Sequence, residues 1–443
     1  MLKQDSMMGV LRANAGQRVF MHDLKSLAQH KLDSSLVGNG LGYGERCLWL
    51  AQAGDVVVLD CAPDPEYLAT LRQYLPELAQ VHLVNPGPLL DEGLIATLCQ
   101  APNLLDQILP VLTQNRVLLN CLVACPGVEQ VAAYLRTKLN VAVETETGAI
   151  EATQMANNKR FIHGLATMSN VPVPTGEVLD CAELSASDRS RVCYDTVVRQ
   201  AASRGRAMVR GIHGANGSDT HIFSQEDQQR LNDWATQRSS RDCFIVAPLL
   251  PLTGSPNCPA WIYDEENWAL LAINQQRLDA GYRHHGNVVP YSPPHLAEIL
   301  DCANRITASL AKIGVRGAIG IDLMETYSPE STPTLALAEV NARYNGSHLT
   351  LSMWERLNEI RLARGLYQLQ ACLSHAGRQC RLRSFAALRR VAGQFLYSHD
   401  KGQGVVLLQS GLLKLGALNF VTLAADESSA FAVEAEFMAA VYE

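Results

Sequence analysis

Two apolar runs in the last third of this chain carry polar residues, one of them at regular positions. In the second run, residues 338–343, small apolar residues alternate with Glu339, Asn341 and Arg343. Successive side chains of a strand point to opposite faces, so this spacing places a carboxylate, an amide and a guanidinium in one row. Such a row, taken alone, is equally typical of the solvated face of an edge strand.

The first run, residues 317–324, is an apolar strand candidate interrupted by Asp322. A buried carboxylate is costly unless it is paired or bound to a metal, although an exposed strand end would also accommodate it. Antiparallel neighbours lie roughly 5 Å apart, so Asp322, Glu339 and Asn341 would present three oxygen ligands suited to one or two Mg²⁺ ions. Arg343 could then bind a phosphoryl oxygen through two N–H donors.

A third segment joins a strand candidate to a loop of small residues. Residues 206–209 predict a strand that delivers Arg210. The loop that follows contains Gly211, Gly214, Gly217 and Ser218. Glycines let backbone N–H groups approach phosphate closely, but the spacing is not that of a Walker loop. Considered alone, this segment is better explained as an ordinary hairpin loop.

The first 150 residues alternate short apolar runs with helical patterns. Strand candidates lie at residues 56–59, 81–84 and 117–119, and residues 66–74 have helical spacing. This alternation predicts a parallel α/β layer. The glycine-rich residues 38–44 lack the Gly-x-Gly-x-x-Gly spacing of a dinucleotide loop and indicate a flexible loop or active-site cover.

Composition and charge exclude several classes of function. The net charge is −7 and the pI about 6.0, without a lysine- or arginine-rich block. The densest basic stretch, Arg378 to Arg390, is diluted by apolar residues and predicts a helix with a solvated face, which argues against a nucleic-acid partner. The longest apolar run, residues 117–124, is broken by Asn120 and is too short to span a membrane.

The cysteines and the N-terminus indicate a cytoplasmic protein. The 12 cysteines are scattered, and no pair of Cys-x-x-Cys elements suggests a zinc site. Many unpatterned thiols fit a reducing compartment, and the first fifteen residues lack the apolar core of a signal peptide. Cys125 before Pro-Gly could be a reactive thiol, but a buried structural cysteine is far commoner.

The ordered set of motifs resembles the ATP-grasp superfamily. It runs from Asn158-Lys159 before a helix, through the Val-Pro-Val-Pro of residues 171–174 and the Arg210 strand, to Asp322 and Glu339-x-Asn341-x-Arg343. More narrowly, the chain resembles the pheganomycin-type peptide ligases and the butirosin-type amino-acid ligases. The segments that carry this narrower likeness are Gly44-Glu-Arg, Gly54-Asp-Val-Val-Val-Leu, Gly254-Ser-Pro, Gln276, Arg343-x-x-Gly-Ser-His348 and residues 404–416.

The resemblance implies an α/β fold in three parts. Residues 1–150 would form a Rossmann-like pre-ATP-grasp domain, residues 151–362 a two-lobed ATP-grasp core with a lid at about 170–250, and residues 363–443 a C-terminal extension. It also implies a carboxylate–amine ligase that uses ATP and Mg²⁺ and forms an amide or peptide bond through an acyl phosphate. Its substrates would be small carboxylates and amines, such as amino acids or short peptides. Dimers are common among such ligases.

The resemblance also assigns roles to individual residues. Lys159 and Arg210 would bind the ATP phosphates with the loop of Gly214, Gly217 and Ser218, and the backbone at Ala247 to Leu249 would meet the adenine. The metal ligands would be Asp322, Glu339 and Asn341. Arg343 would steady the acyl phosphate. The acyl site would be lined by Gly346 and Ser347, with His348 in contact with substrate.

Two positions depart from the superfamily pattern, and they leave alternatives open. Arg210 stands where lysine is usual, and Ala247-Pro248 stands where a glutamate before the adenine hinge is usual. These departures raise the alternative of a nucleotide-binding regulator derived from a ligase. A further alternative is transfer of the acyl group to a carrier-protein thiol. The adjacent His284 and His285 could bind a metal, but neighbouring residues of a strand face opposite ways, so the pair better indicates a mobile loop near the acceptor site.

Overall fold

A computed structural model of the chain describes residues 6–30, 42–213, 219–327 and 333–442. Four residues of the predicted glycine-rich loop, 38–41, lie outside this range. The loop's last described part runs into a 3₁₀ helix at Tyr43–Trp49. In the described ranges, no helix is long and apolar enough to cross a membrane.

The N-terminal region is a parallel sheet covered by helices, as predicted. Its strands are β1 (Gln17–Met21), β2 (Val56–Val58), β3 (His82–Val84), β4 (Arg116–Cys121) and β5 (Ala142–Thr145). Its helices are α1 (Met7–Ala13), α2 (Pro65–Tyr74), α3 (Leu94–Gln100) and α4 (Pro126–Lys138). Over the described residues the strand order is β3-β2-β1-β4-β5 with every pairing parallel, which is the order of the first five strands of a Rossmann fold.

Two helices lead into a small antiparallel sheet that forms the first lobe of the core. The helices are α5 (Ile150–Ala156) and α6 (Lys159–Met168). Asn158 caps α6 by accepting a hydrogen bond from the backbone of Phe161, and the two prolines of residues 171–174 follow its end. The lobe contains β6 (Glu177–Asp180), α7 (Ala186–Ala202), β7 (Arg206–Gly211), β8 (Thr220–Ser224), α8 (Gln228–Thr236) and β9 (Cys243–Pro248), with strand order β6-β9-β7-β8.

The second lobe is a larger antiparallel sheet. Its strands are β10 (Leu252–Gly254), β11 (Pro256–Ile262), β12 (Trp268–Leu270), β13 (Asn274–Leu278), β14 (His284–Val289), β15 (Gly317–Tyr327) and β16 (Pro333–Asn341). Helix α9 (Leu296–Lys312) packs on this sheet, and α10 (Gly346–Ala363) follows β16. The strand predicted at 317–324 and the run at 338–343 up to Asn341 form the antiparallel pair β15–β16. Residues 317–323 are buried at every position, as in a central strand that is covered on both faces.

The C-terminal residues extend the same sheet. They form β17 (Ala371–Gln379), α11 (Phe385–Ala392), β18 (Gly404–Leu407), α12 (Gly411–Lys414), β19 (Ala417–Ala424) and α13 (Glu427–Tyr442). Strand β17 pairs with β14 at Val288–Leu373 and Val289–Cys372. The prediction that the basic stretch of residues 378–390 is one helix is wrong, because Arg378 belongs to β17 and Arg381 and Arg383 lie between elements.

The N-terminal sheet packs against the back of the core through a buried polar contact. Tyr344 donates its backbone N–H to the Leu122 carbonyl at 3.1 Å, and its hydroxyl oxygen accepts a hydrogen bond from Asn120 at 2.8 Å. Trp49 and Phe420, which lie at opposite ends of the sequence, belong to one apolar core. The N-terminal region therefore packs directly against Tyr344, the residue after Arg343, and the C-terminal region shares the same apolar core.

Candidate active site

Three neighbouring strands bring the predicted metal-binding residues into one row. Asp322 on β15 stands opposite Asn257 on β11 and opposite Glu339 on β16. The amide of Asn341 donates hydrogen bonds to both carboxylates, at 2.8 Å to Asp322 and 3.3 Å to Glu339. The sequence spacing therefore predicted correctly which side chains share a face of this hairpin.

Asp322 is held by more partners than the motif itself supplies. Its Oδ1 atom accepts hydrogen bonds from the amides of Asn257 at 2.5 Å and Gln276 at 3.0 Å. The side chain is nonetheless buried, and burial, together with the negative charge of Glu339, raises the pKa of Asp322 well above its ordinary value. A cation between the two carboxylates would remove this cost, so the pair is built for a positively charged ligand.

Three cationic side chains surround the second carboxylate. Lys159, the first residue of α6, forms an ion pair with Glu339 at 3.1 Å, and Arg210 donates to the carbonyl of Ala338 at 3.2 Å. Although burial opposes it, the charges of Lys159, Arg210 and Arg343 keep the pKa of Glu339 below its usual value. The site therefore holds one ionised carboxylate amid a surplus of positive charge, as an anionic ligand requires.

The guanidinium of Arg343 is positioned by a residue that sequence analysis gave no role. Asn157, the last residue before the cap of α6, accepts hydrogen bonds from the Arg343 side chain at 2.8 Å and from the Ala342 backbone at 3.1 Å. The backbone N–H of Lys159 bonds to the Ile212 carbonyl at 3.0 Å, beside the start of the glycine loop. Asn157 and Lys159 thus tie the start of α6 to both the second lobe and the first.

Most of these groups line one cleft between the lobes, with a volume of about 150 Å³, and Lys159 and Asn157 adjoin it without lining it. The charged side chains of its lining are Arg210, Asp322, Glu339 and Arg343, here called the charged end. Apolar side chains that line it are Met208, Leu252, Leu278 and Met324. Neutral polar residues also line it, namely Thr220, Ser255, Gln276, Tyr282, His284, Asn287, Asn341, Asn345 and Ser347, and those from β13, β14 and the start of α10 are here called the neutral end. A cleft that combines charged, apolar and neutral polar surface suits a ligand with a similarly mixed structure.

The N-terminus of α10 opens onto the same cleft. Asn345 caps the helix by accepting hydrogen bonds from the backbones of Ser347 at 3.0 Å and His348 at 3.4 Å. Gly346 and Ser347 lie among the cleft residues, as the resemblance implied. The cap satisfies two of the first N–H groups, and the 18-residue helix still directs the positive end of its dipole toward this point, which favours an anion there.

The structure places three other predicted residues away from the cleft lining. His348 is fully buried, and it completes the cap of α10 by bonding back to Asn345. Its ring also lies 3.4 Å from the Ala260 carbonyl, so its contacts are those of a structural residue. Ala247 and Leu249 are buried at the end of β9 and beyond it, and neither contributes to the cleft lining. Gly214, Gly217 and Ser218 lie outside the described residues.

Two further expectations are settled by burial and pairing. The interpretation of His284 and His285 as part of a mobile loop is wrong, because both belong to β14. Cys125 is buried, and burial raises the pKa of its thiol to about 11. It is therefore a structural cysteine and not a reactive thiol.

Comparison with known families accounts for two segments of the chain. A family model of the pre-ATP-grasp domain matches residues 44–149, and a model of the ATP-grasp domain matches residues 158–347. Together they match more than half of the chain. No curated protein matches it.

Solved structures share the fold at low sequence identity. N5-carboxyaminoimidazole synthetase from Staphylococcus aureus, complexed with ADP, is 10% identical with a TM-score of 0.52, covering 95% of this chain and 97% of its own. Biotin carboxylase from Campylobacter jejuni is 12% identical with a TM-score of 0.53, covering 97% and 92%.

A third structure contains both nucleotide and metal. The biotin carboxylase domain of 2-oxoglutarate carboxylase from Hydrogenobacter thermophilus, complexed with MgADP and bicarbonate, is 11% identical with a TM-score of 0.54, covering 96% of this chain and 90% of its own. The family match favours an enzyme over a nucleotide-binding regulator, since it spans the lobe with Arg210 and the hairpin with Asp322 and Glu339. The chain belongs to the ATP-grasp superfamily of ATP- and Mg²⁺-dependent ligases, with a pre-ATP-grasp domain ahead of its ATP-grasp domain.

Proposed function

We propose that this chain joins a carboxylate to an amine through an acyl-phosphate intermediate. One observation carries the proposal: two carboxylates, the guanidinium groups of Arg210 and Arg343, and the N-terminus of α10 line one cleft, and Lys159 is paired with the cleft residue Glu339. This positive charge suits a triphosphate, and the helix end suits the carboxylate that receives the phosphoryl group.

Asp322 and Glu339 fit the magnesium that this superfamily uses. The two carboxylates face each other across β15 and β16, and Asn341 bonds to both through its amide nitrogen. Turning that amide over would present its oxygen as a third hard ligand. Bound Mg²⁺ would supply charge neutralisation for the phosphate oxygens.

The nucleotide is assigned to the part of the cleft between the two lobes. Met208 on the first lobe and Leu252 and Met324 on the second supply apolar surface for a purine ring. Lys159 and Arg210 bind phosphate oxygens, and we expect the loop of Gly214, Gly217 and Ser218 to donate backbone N–H groups. An adenine contact from the backbone of Ala247 to Leu249 remains a prediction.

The chemistry requires two displacements. A carboxylate oxygen attacks the γ-phosphorus in line and ADP leaves, and Arg343 with the N-terminus of α10 stabilises the charge that develops. The amine nitrogen then attacks the acyl carbon, and the C–O bond to phosphate breaks. The same guanidinium and backbone donors stabilise the oxyanion, while the closed lobes exclude water. None of these steps requires a covalent protein nucleophile.

The acyl group and acceptor are proposed to be amino acids or short peptides, as in the pheganomycin- and butirosin-type ligases that the motifs resemble. The test is a screen of the twenty amino acids and their dipeptides for release of ADP and phosphate, with mass analysis of the products. A new amide that appears in proportion to ADP supports the proposal. A thioester formed on a carrier protein would favour the thiol alternative, and ADP release without any coupled product would contradict both.

Assembly and location are proposals as well. The domain from Hydrogenobacter thermophilus is described as a dimer, and we propose a homodimer in the cytoplasm for this chain. Light scattering of the purified protein tests the homodimer, which should show twice the mass of one chain.

A further inference from the structure

A β-bulge turns His284 toward the cleft. On β13, Leu278 and Arg277 are adjacent, yet on β14 their partners are His284 and Gly286, so one extra residue is inserted there. Regular alternation would send His284 and Asn287 to opposite faces, because they are three residues apart. Instead both line the cleft, and the Nε2 atom of His284 lies 3.3 Å from the Oδ1 atom of Asn287. Bulges commonly re-aim a side chain next to an active site.

The C-terminal strand β17 holds this bulge in place. A Cβ atom on Gly286 would lie 1.9 Å from the Ser374 carbonyl oxygen, so only glycine allows the two backbones to approach. The hydroxyl oxygen of Ser374 also accepts a hydrogen bond from the backbone of Asn287 at 2.8 Å. The irregular geometry at His284 is therefore fixed by residues on a neighbouring strand.

Asn287 links His284 to the end of the cleft where the acyl group is proposed to lie. The amide nitrogen of Asn287 lies 4.0 Å from the position that a Cβ atom on Gly346 would occupy, at the first turn of α10. A substrate carbonyl bound at that helix end would thus have the Asn287 amide beside it. His284 lies one hydrogen bond further along the same wall.

His284 is an uncharged imidazole at neutral pH. Burial lowers its pKa, and the hydrogen bonds of its ring to Asn287 and to the backbone of Gly286 oppose this only in part. The titratable groups whose charges act on it are His285 on its own strand, which lowers its pKa further, and Glu339 on β16, which raises it. A neutral imidazole keeps one ring nitrogen with an electron pair that can accept a proton. Of the two cleft carboxylates that the structure describes, Glu339 is paired with Lys159 and Asp322 with amides, and both are assigned to the metal.

We propose that His284 is the proton acceptor for the amine that attacks the acyl phosphate. The proposal rests on the proposed function, because only an amine acceptor arrives as an ammonium ion. The ammonium gives one proton to His284, and its freed electron pair forms the C–N bond as the C–O bond to phosphate breaks. The nitrogen's second proton passes to the departing phosphate, and His284 releases its own to solvent.

The test separates acyl activation from amine attack by using two acceptors. Hydroxylamine is largely unprotonated at neutral pH and traps acyl phosphates as hydroxamates, so it needs little base catalysis. Wild-type protein, His284→Gln and His284→Asn are supplied with ATP, Mg²⁺ and the amino acids that are active in the screen, with either an amino acid or hydroxylamine as acceptor. The matched control is His285→Gln, since that ring lies beside His375, 5.9 Å between centroids, and does not line the cleft.

General bases contribute about 10²–10⁴-fold, so amide formation by both His284 variants should fall at least about 10²-fold. Their hydroxamate formation should fall far less, so that the amide-to-hydroxamate ratio drops at least tenfold, whereas His285→Gln keeps the wild-type ratio. Equal loss with both acceptors, or a ratio unchanged from wild type, would overturn the role of His284. Absence of both products from the wild-type protein would overturn the ligase proposal itself.

Discussion

The two ends of the cleft are built in different ways. At the charged end, Asp322, Glu339 and Arg343 come from one β-hairpin and the residues directly after it. At the neutral end, residues from β13, β14 and α10 meet, and β17 pairs with β14 beside them. The first end depends on spacing within some twenty residues, and the second depends on how distant segments pack.

This difference matches the chemistry assigned to each end. Phosphoryl transfer makes the same demands whatever the acyl group is, so a compact local motif can supply it. Recognition of a particular carboxylate and amine differs from one ligase to another and is assembled from several elements. We therefore expect substitutions at the charged end to abolish all turnover, and those at the neutral end to act on particular substrates or steps.

The largest effect is expected from Asp322→Asn. The change keeps the shape and one hydrogen-bond acceptor but removes the charge that would hold Mg²⁺ beside the phosphates. Loss of a transition-state charge partner in phosphoryl transfer costs about 10³-fold or more, so ADP release should fall on that scale with every acceptor. The measurement is substrate-dependent ADP release at saturating Mg²⁺.

The control for this change is Glu265→Gln, which removes one negative charge from the exposed turn between β11 and β12. It should leave turnover within about twofold, as surface substitutions generally leave stability intact. If Asp322→Asn turned over like Glu265→Gln, the metal assignment would be wrong.

A smaller loss is expected from Arg343→Lys. Lysine retains the charge but lacks the two-pronged guanidinium that Asn157 orients. Removing one oriented donor to a developing oxyanion costs about 10²–10³-fold, and the loss should appear in kcat more than in KM. The control is Arg305→Lys on α9, whose guanidinium pairs with Asp301 at an exposed site. Equal kcat values for the two variants would contradict the role assigned to Arg343.

The charged end was predictable because its signals are local. The period of two from Glu339 to Asn341 fixes which side chains share a face of β16, whereas Arg343 lies just beyond the strand and is held by Asn157. The isolated Asp322 in an apolar run marks a paired or metal-bound carboxylate. Asn158 before a helical pattern is an ordinary N-cap, so the position of Lys159 at the first turn of α6 followed directly.

The neutral end was not predictable because its signals are long-range. An extra residue in β14 is visible only against its partner β13, so sequence analysis placed His284 in a mobile loop and not on a strand beside the cleft. His348 was misjudged because the helix cap it completes depends on where α10 begins. The Asn257 amide reaches Asp322 only through the pairing of β11 with β15, 65 residues away. Such contacts follow from the assembled sheet and not from spacing.

Gln276→Leu tests whether the neutral end also supports the charged one. Leucine removes one of the amides that hold Asp322 while Asn257 and Asn341 remain. Loss of a partner that orients a metal ligand typically costs 10–100-fold in metal affinity, so the Mg²⁺ concentration needed for half-maximal ADP release should rise by about tenfold. Gln275→Leu, one residue away and not part of the cleft lining, should leave that concentration unchanged. Identical Mg²⁺ dependence in both variants would show that Gln276 serves the substrate alone.

The smallest effect, and the one that best separates the two ends, is expected from Asn345→Ala. Its side chain caps α10, and losing a cap of this kind costs about 1 kcal/mol, which for a domain of this size lowers Tm by about 2–4 °C. Because the frayed turn carries Gly346 and Ser347, KM for the carboxylate should rise several-fold while KM for ATP stays near wild type. Asn345→Asp retains a capping oxygen and should recover Tm. The added negative charge beside the acyl site should still raise the carboxylate KM. If both variants instead raised KM for ATP, the end of α10 would belong to the nucleotide site, and the division of the cleft into two ends would fail.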